Sequence, residues 1–376
     1  MHLALSRHAH SGRRAMMDGP VLIMAGGTGG HVFPALAVAQ ELRARGVPVV
    51  WLGAPGSMES RLVPAHGFAI EWIQVAGIRG KGLGRWLLAP FRVLRGVAQA
   101  ARILKRVRPR AVIGLGGYVS GPGGIAAWLL RIPLLIHEQN AVAGLTNRML
   151  ARLAAQVLEG FPGSFGARVE ARCIGNPVRA DIAATPEPKS RFAGREKRSR
   201  LLVLGGSQGA RRLNSAVPEA IALLEPGNRP QVRHQTGERW LESARSAYLE
   251  AQVEADVLPF IDDMAEAYAW ADIAVCRAGA LTITELQAAG LGALYVPFPA
   301  AVDDHQTKNA EVMVRLGAGR IMQERDLTSA RLSKCIAELT ADRAGMLKMA
   351  EAARAARVID AASQLANLCI AAGASA

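Results

Sequence analysis

A histidine closes the first glycine-rich turn of this chain, in the run Ala25-Gly26-Gly27-Thr28-Gly29-Gly30-His31. An imidazole with an ordinary pKa of about 6.5 is a usable general base at neutral pH. A place at the start of a helix favours its neutral form, the one that takes a proton from a hydroxyl. A cap-region or packing role is the simpler alternative for the same residue. A second polar group, His137-Glu138-Gln139-Asn140, directly follows the apolar run Ile132 to Ile136, and in an open α/β sheet the carboxyl ends of strands are where ligands bind. In the second half, Ala280-Leu281-Thr282-Ile283-Thr284-Glu285 follows Arg277-Ala278-Gly279. Thr282 and Glu285 match a capping box, while helix-start N–H groups there could hold a diphosphate and a carboxylate could grip a ribose diol. Asp303-Asp304-His305-Gln306 gathers acids and a histidine, but no companion ligand spacing accompanies them. A solvated loop before a helix from Lys308 is the stronger reading, and no metal is expected. Asp262-Asp263 reads as a helix start.

The elements that position these groups are strands running into glycine turns that open helices. Val21 to Met24 enters the His31 turn, followed by a helical stretch from Phe33 to Leu42; Leu201 to Leu204 enters Gly205-Gly206-Ser207-Gln208-Gly209-Ala210, followed by Arg211 to Leu224. A third cluster, Gly114-Leu115-Gly116-Gly117-Tyr118-Val119-Ser120-Gly121-Pro122, again follows an apolar run, and reads equally as a tight turn or as a ligand contact. Glycine lets the backbone approach a ligand closely, and a helix start favours an anion. Further β-like runs at Val47 to Leu52, Ala69 to Val75, Ala111 to Leu115, Pro133 to His137, Gln231 to His234, Ile273 to Cys276 and Ala293 to Pro297 alternate with longer helical ones. That alternation predicts parallel sheets with helices on both faces, an α/β class. The segment from Pro177 to Ser199, rich in proline and charge, marks a domain junction at its start. The tail from Ala350 to Ala372 reads as helical and able to cross back to the first domain.

Two familiar nucleotide sites are disfavoured. A dinucleotide site needs an acid near the end of the second strand, but that strand ends Trp51-Leu52-Gly53-Ala54 and the nearest carboxylate is Glu59. Neither glycine turn is followed by Lys and then Ser or Thr, so a Walker P-loop fails too. The 376 residues carry a net charge of +14, which suggests a polyanionic partner. No acidic residue occurs between Trp72 and His137, while basic residues from Arg79 to Arg131 crowd the interval. Cys173, Cys276, Cys335 and Cys369 lack paired spacing and suggest reduced thiols. No apolar run reaches the roughly 18 residues of a membrane span. Residues 1–18 read as a loose basic leader without a secretory apolar region, with a natural start near Met16 or Met17.

Taken in order, Gly26 to His31, Gly114 to Pro122, His137 to Asn140, Gly175-Asn176-Pro177-Val178-Arg179, Gly205 to Ala210, Pro259-Phe260-Ile261, Ala280 to Glu285 and Gln306 to Ala310 resemble the MurG family of bacterial N-acetylglucosaminyltransferases. The resemblance implies the glycosyltransferase B fold, two Rossmann-like doubly wound domains facing across a cleft. Residues 19–177 would form the acceptor and membrane-associating domain, joined by a C-terminal helix at about 357–376, and residues 178–356 the UDP-GlcNAc domain. It implies transfer of GlcNAc, with inversion and without a metal or other cofactor, from UDP-GlcNAc to the 4-hydroxyl of the muramyl sugar of lipid I. The products would be lipid II and UDP.

By the same resemblance His31 and Glu138 are catalytic, His31 as general base. Arg179 and Ile261 would meet uracil, Glu285 the ribose, Ser207 and the turn from Ala280 through Leu281, Thr282, Ile283 and Thr284 the diphosphate, and Gln306 the sugar. Thr28, Gly29, Gly30 and Asn140 would also serve the donor. Gly26, Gly27, Gly116, Gly117, Tyr118, Ser120 and His137 would face the lipid acceptor. Lys81, Arg85, Trp86, Leu87, Phe91 and Arg92 interleave charge with apolar bulk, a pattern suited to an anionic bilayer, or alternatively to an amphipathic helix packed on its own domain. The implied location is peripheral, on the cytoplasmic face of the inner membrane, with other cell-wall or division proteins as further partners. A UDP-GlcNAc 2-epimerase, which shares the fold and the donor, is the rival enzyme; it needs no lipid acceptor. A nucleic-acid binder, prompted by charge alone, lacks a stacking platform or motif.

Overall fold

Four consecutive buried residues, Val21 to Met24, carry the logic of the first sheet: a strand covered on both faces needs no polar alternation. In the computed structural model, which describes residues 19–75, 89–195, 198–206 and 209–374, this strand (β1, Val21–Met24) is an interior strand of a seven-stranded parallel sheet, flanked by strands on both sides. Its companions are β2 (Val49–Gly53), β3 (Ala69–Trp72), β4 (Ala111–Gly114), β5 (Leu134–Glu138), β6 (Gln156–Glu159) and β7 (Arg172–Cys173), in the order β3-β2-β1-β4-β5-β6-β7. Val21 and Ile23 pack on one face with Val32, Leu36 and Leu42 of α1 (Gly29–Ala44). Leu22 and Met24 pack on the other with Ala100 and Leu104 of α2 (Ala89–Val107) and Ala126 of α3 (Ser120–Leu129).

The second unit is a six-stranded parallel sheet, ordered β10-β9-β8-β11-β12-β13. Its strands are β8 (Arg200–Leu204), β9 (Gln231–Gln235), β10 (Asp256–Leu258), β11 (Ile273–Cys276), β12 (Ala293–Tyr295) and β13 (Gly319–Ile321). The chain divides into a unit of residues 1–177 with 360–376 and a unit of residues 178–359. The last helix, α4 (Ala361–Ala374), places Leu365, Ala366 and Cys369 in the core of the first unit. The tail is therefore two helices, Arg343–Ala355 and Ala361–Ala374, and not one continuous stretch.

The charged segment after Pro177 is also more ordered than its composition suggests. It contains short helices at Ala180–Ala183 and Pro188–Phe192. Its arginines turn inward: Arg191 donates to the carbonyls of Tyr268 (2.9 Å) and Ala289 (3.1 Å), and Arg195 to those of Ala269 (2.7 Å) and Trp270 (3.0 Å). These are the last carbonyls of helices Met264–Trp270 and Ala280–Ala289, the groups that an arginine caps well. Arg195 also pairs with buried Asp272 at 2.7 Å.

Candidate active site

In the first unit three strand ends lie side by side, Met24 in register with Gly114 and Gly114 with Ile136. The turn after β1 and the turn after β4 touch backbone to backbone. Gly117, at φ +89°, lies so close that a Cβ there would stand 2.4 Å from Gly26 O. His31, in the first turn of α1, folds back on its own turn, with Nδ1 3.2 Å from Gly26 O and 3.5 Å from Thr28 Oγ1. Because a carbonyl oxygen can only accept, this contact assigns the proton to Nδ1 and the lone pair to Nε2. The ring edge rests on Gly116, where any Cβ would meet Nε2 at 2.8 Å. Gly27, Thr28 and Gly30 are exposed, Gly29 half-buried, and Tyr118 is 56% exposed. The turn is held from behind by Glu59, which accepts from Gly27 N (3.0 Å) and Ala54 N (3.2 Å).

Three expected contacts are corrected by burial. Ser120 is fully buried, and its hydroxyl donates to Gly116 O (2.8 Å) and Met24 O (3.2 Å), which ties the two turns together rather than facing an acceptor. His137 is fully buried, with Nε2 donating to Gly175 O at 2.9 Å. Burial lowers its pKa, against the opposing pull of that hydrogen bond and of Glu138, so it stays neutral and joins β5 to the Gly175 loop. Glu138 is also buried. Its oxygens accept from Asn140 N and Nδ2 (both 3.0 Å), Gly144 N (3.1 Å) and Asn147 Nδ2 (2.9 Å). A carboxylate so occupied fixes the loop after β5, including half-buried Asn140, and is not placed to touch a substrate.

In the second unit, the expected capping box is replaced by a different arrangement. Helix Ala280–Ala289 begins after Gly279, an N-cap in extended conformation with no side-chain cap. Thr282 is thereby the third helical residue, beside Gly279, and cannot cap. The leading N–H groups of this helix carry no side-chain cap, an arrangement that suits an anion. Ala280 and Ile283 are buried, and buried Thr284 donates to Ala280 O (2.9 Å), so these three can meet a ligand only through backbone; Leu281 and Thr282 are half-buried. Glu285 accepts from Tyr268 OH at 2.8 Å. Its environment raises its pKa to about 7, chiefly by desolvation, while the Tyr268 bond and nearby Arg179 pull it down and Asp181 pushes it up. Although its side chain keeps some surface, the surrounding protein sets its titration. Arg179 lies 3.6 Å from Asp181.

Gln306, in helix His305–Arg315, uses Oε1 to accept from Ala278 N (3.2 Å) and Phe298 N (2.9 Å). The two N–H groups fix the amide's orientation and leave its NH2 as a directed donor. Asn309 Nδ2 reaches Ala278 O at 3.1 Å and holds the same loop. Ile261 is buried, Asp263 caps Met264–Trp270 through Glu266 N (2.9 Å), and that helix start agrees with the sequence. The helix after Asp304 starts at His305, three residues before Lys308. No group of three or more His, Cys, Asp or Glu side chains among the described residues is placed to hold a metal. Ser207, Lys81, Arg85, Trp86 and Leu87 lie outside the described residues. Glu59 and Tyr268 were not anticipated as site residues. Glu59 stood out only as a carboxylate misplaced for a ribose, and Tyr268 has no local signal, since its partner is 17 positions away.

Both halves match known domains: the glycosyltransferase family 28 N-terminal domain over residues 21–159 and the glycosyltransferase family 28 C-terminal domain over residues 200–365. A UDP-N-acetylglucosamine–N-acetylmuramyl-(pentapeptide) pyrophosphoryl-undecaprenol N-acetylglucosamine transferase of Nitrosococcus oceani is 56% identical over 350 residues, 93% of this chain and 98% of that one. The protein of the same description from Marinobacter nauticus is 54% identical over 358 residues, 94% of this chain and 99% of that one. Among solved structures, Acinetobacter baumannii MurG superposes with a TM-score of 0.82 at 42% identity, covering 93% of this chain and 99% of its own. The calicheamicin glycosyltransferase CalG4, at 17% identity and a TM-score of 0.68, shares the fold. With two parallel α/β units, glycine turns at matching strand ends and near-complete coverage of these relatives, the chain belongs to the MurG family of UDP-GlcNAc-dependent glycosyltransferases, hexosyltransferases of the glycosyltransferase B fold.

Proposed function

We propose that this enzyme moves GlcNAc from UDP-GlcNAc to the 4-hydroxyl of the N-acetylmuramyl sugar of lipid I, giving lipid II and UDP in peptidoglycan synthesis. The observation that carries this reading is the 56% identity to a transferase of that description across 98% of its length. In the proposed chemistry His31 Nε2 takes the proton of the attacking hydroxyl, the oxygen attacks the anomeric carbon from the face opposite UDP, and the configuration inverts. Charge growing on the departing diphosphate is met by helix-start N–H groups at Ala280 to Thr282, dipoles already in place before reaction, with Ser207 as a further contact. Glu285 accepts from the ribose hydroxyls, Arg179 and the Ile261 segment meet the base, and the Gln306 NH2 donates to the sugar. Glu138 serves by fixing the Asn140 loop.

Peripheral attachment to the cytoplasmic face of the inner membrane is part of the same proposal. Supporting it, Phe91 and Leu94 are 70% and 64% exposed at the start of α2, beside exposed Arg92 and Arg95. No described helix is long and apolar enough to cross a membrane. The direct test is UDP release from UDP-GlcNAc by the purified protein in EDTA, with and without a lipid I analogue carrying a shortened prenyl chain. UDP and a β-1,4 disaccharide formed only with acceptor are expected. Acceptor-independent formation of UDP and an epimerised sugar would instead indicate the epimerase, which no observation here favours.

A further inference from the structure

We propose that Glu59 is a positioning residue for His31, acting through a single peptide group between them. The N–H of Gly27 donates to Glu59 Oε2 at 3.0 Å, and the carbonyl of that same peptide, Gly26 O, receives Nδ1–H of His31 at 3.2 Å. Carboxylate, amide and imidazole thus form one continuous line of hydrogen bonds. The inference rests on His31 being the general base.

The geometry is built in. Glu59 is 1% exposed, stands at the first position of helix Glu59–Ala65, and uses its other oxygen on Ala54 N at 3.2 Å. It is pressed against the turn so closely that a Cβ on Gly26 would lie 2.5 Å from Oε1. Bonded in series, such groups polarise one another: a carboxylate drawing on the amide N–H leaves more negative charge on the amide oxygen. That oxygen then holds Nδ1–H more firmly and stabilises the imidazolium formed when Nε2 takes a proton. In the Ser-His-Asp triad a carboxylate orients Nδ1 directly; here a peptide stands between them.

The ring also meets the uncharged Thr28 hydroxyl at 3.5 Å and the Gly116 backbone. The start of α1 acts in the opposite sense, since its dipole disfavours a cation. Glu59 offsets that dipole, and the imidazole is left basic enough to work. A carboxylate that only locked the turn would leave the titration of His31 alone.

The test is a histidine-labelled NMR titration of the full-length protein, with the His31 signals assigned by their loss in His31→Gln, alongside the pH–rate profile. In Glu59→Gln the His31 pKa is expected to fall by about 0.5–1 unit, with the acidic limb of kcat moving in parallel and plateau kcat falling roughly threefold to tenfold. Donor KM stays within about twofold. An unmoved His31 titration in a folded Glu59→Gln protein overturns the proposal, whatever happens to the rate. The wild-type protein supplies a second reading that needs no variant: the Gly27 amide proton shifts as His31 protonates, and a Gly27 signal that ignores His31 also overturns it. Normal turnover in His31→Ala beside a shifted titration would retain the relay and refute the base assignment on which its catalytic use rests.

Discussion

Glu285 is under two opposing demands. In its proposed role of accepting from two ribose hydroxyls it must be ionised, yet burial raises its pKa to about 7, well above the ordinary carboxylate range. Donor binding should therefore weaken as pH falls through 7. Calorimetry with UDP is expected to show the dissociation constant rising from pH 8 to pH 6, with a slope approaching tenfold per unit below the pKa. Glu285→Gln should remove that slope and weaken binding at pH 8 by about 10-fold or more, since hydrogen bonds to a charged acceptor are the strong ones. The stability effect has the reverse sign. A carboxyl whose pKa is raised by folding opposes the fold once pH climbs past its unfolded value, so Glu285→Gln should melt higher than wild type at pH 8 and at nearly the same temperature at pH 4. A lower melting temperature at pH 8 would refute this account of the site. The sequence offers Glu285 as a candidate diol acceptor but gives no sign of its partner Tyr268, because a donor one helix away leaves no spacing to read. It also misplaced Ser120, His137 and Glu138 at a ligand. Polar residues after a strand look alike whether they face solvent or close a buried network.

At the scale of elements, the two glycine turns of the first unit are a matched pair. Gly117 combines a left-handed backbone with a Cα pressed on Gly26, so an added methyl has neither the conformation nor the room. Gly117→Ala should force the turns apart, and with them the Gly26 carbonyl that holds His31. The expected result is a loss of kcat of at least about tenfold with UDP affinity kept, because the proposed contacts to uracil, ribose and diphosphate belong to the other unit. UDP binding lost in parallel would contradict the division of labour. The strands that carry these turns were plain in the sequence, as buried parallel strands are apolar throughout. Those missed were β6, β7, β10 and β13, which lie toward or at the sheet margins. β7 is two exposed residues, Arg172–Cys173, and β13 has three with Arg320 exposed in the middle. Edge strands this short and polar carry no periodicity that distinguishes them from loop.

For the whole molecule, the positive charge and the exposed Phe91 and Leu94 lead to one expectation: the protein binds vesicles containing anionic lipid and leaves them at high salt. Each basic residue near such a surface contributes about 1 kcal/mol, whereas binding indifferent to lipid charge would count against attachment. The returning helix leads to another. Leu365 is fully buried beside the sheet of the first unit, and Leu365→Ala should lower that unit's unfolding free energy by about 2–5 kcal/mol. Thermal unfolding followed with UDP present, which protects the second unit, should show the first transition moving alone. The same helix also constrains how the enzyme is made. Its first unit starts with residues that are made early, yet lacks Leu365, Ala366 and Cys369 until the helix Ala361–Ala374 has been made. The sequence of the second unit is complete before that of the first, although it begins later. A chain cut just after Ile359 is therefore expected to keep the whole sequence of the second unit while its histidine-bearing half lacks part of its core.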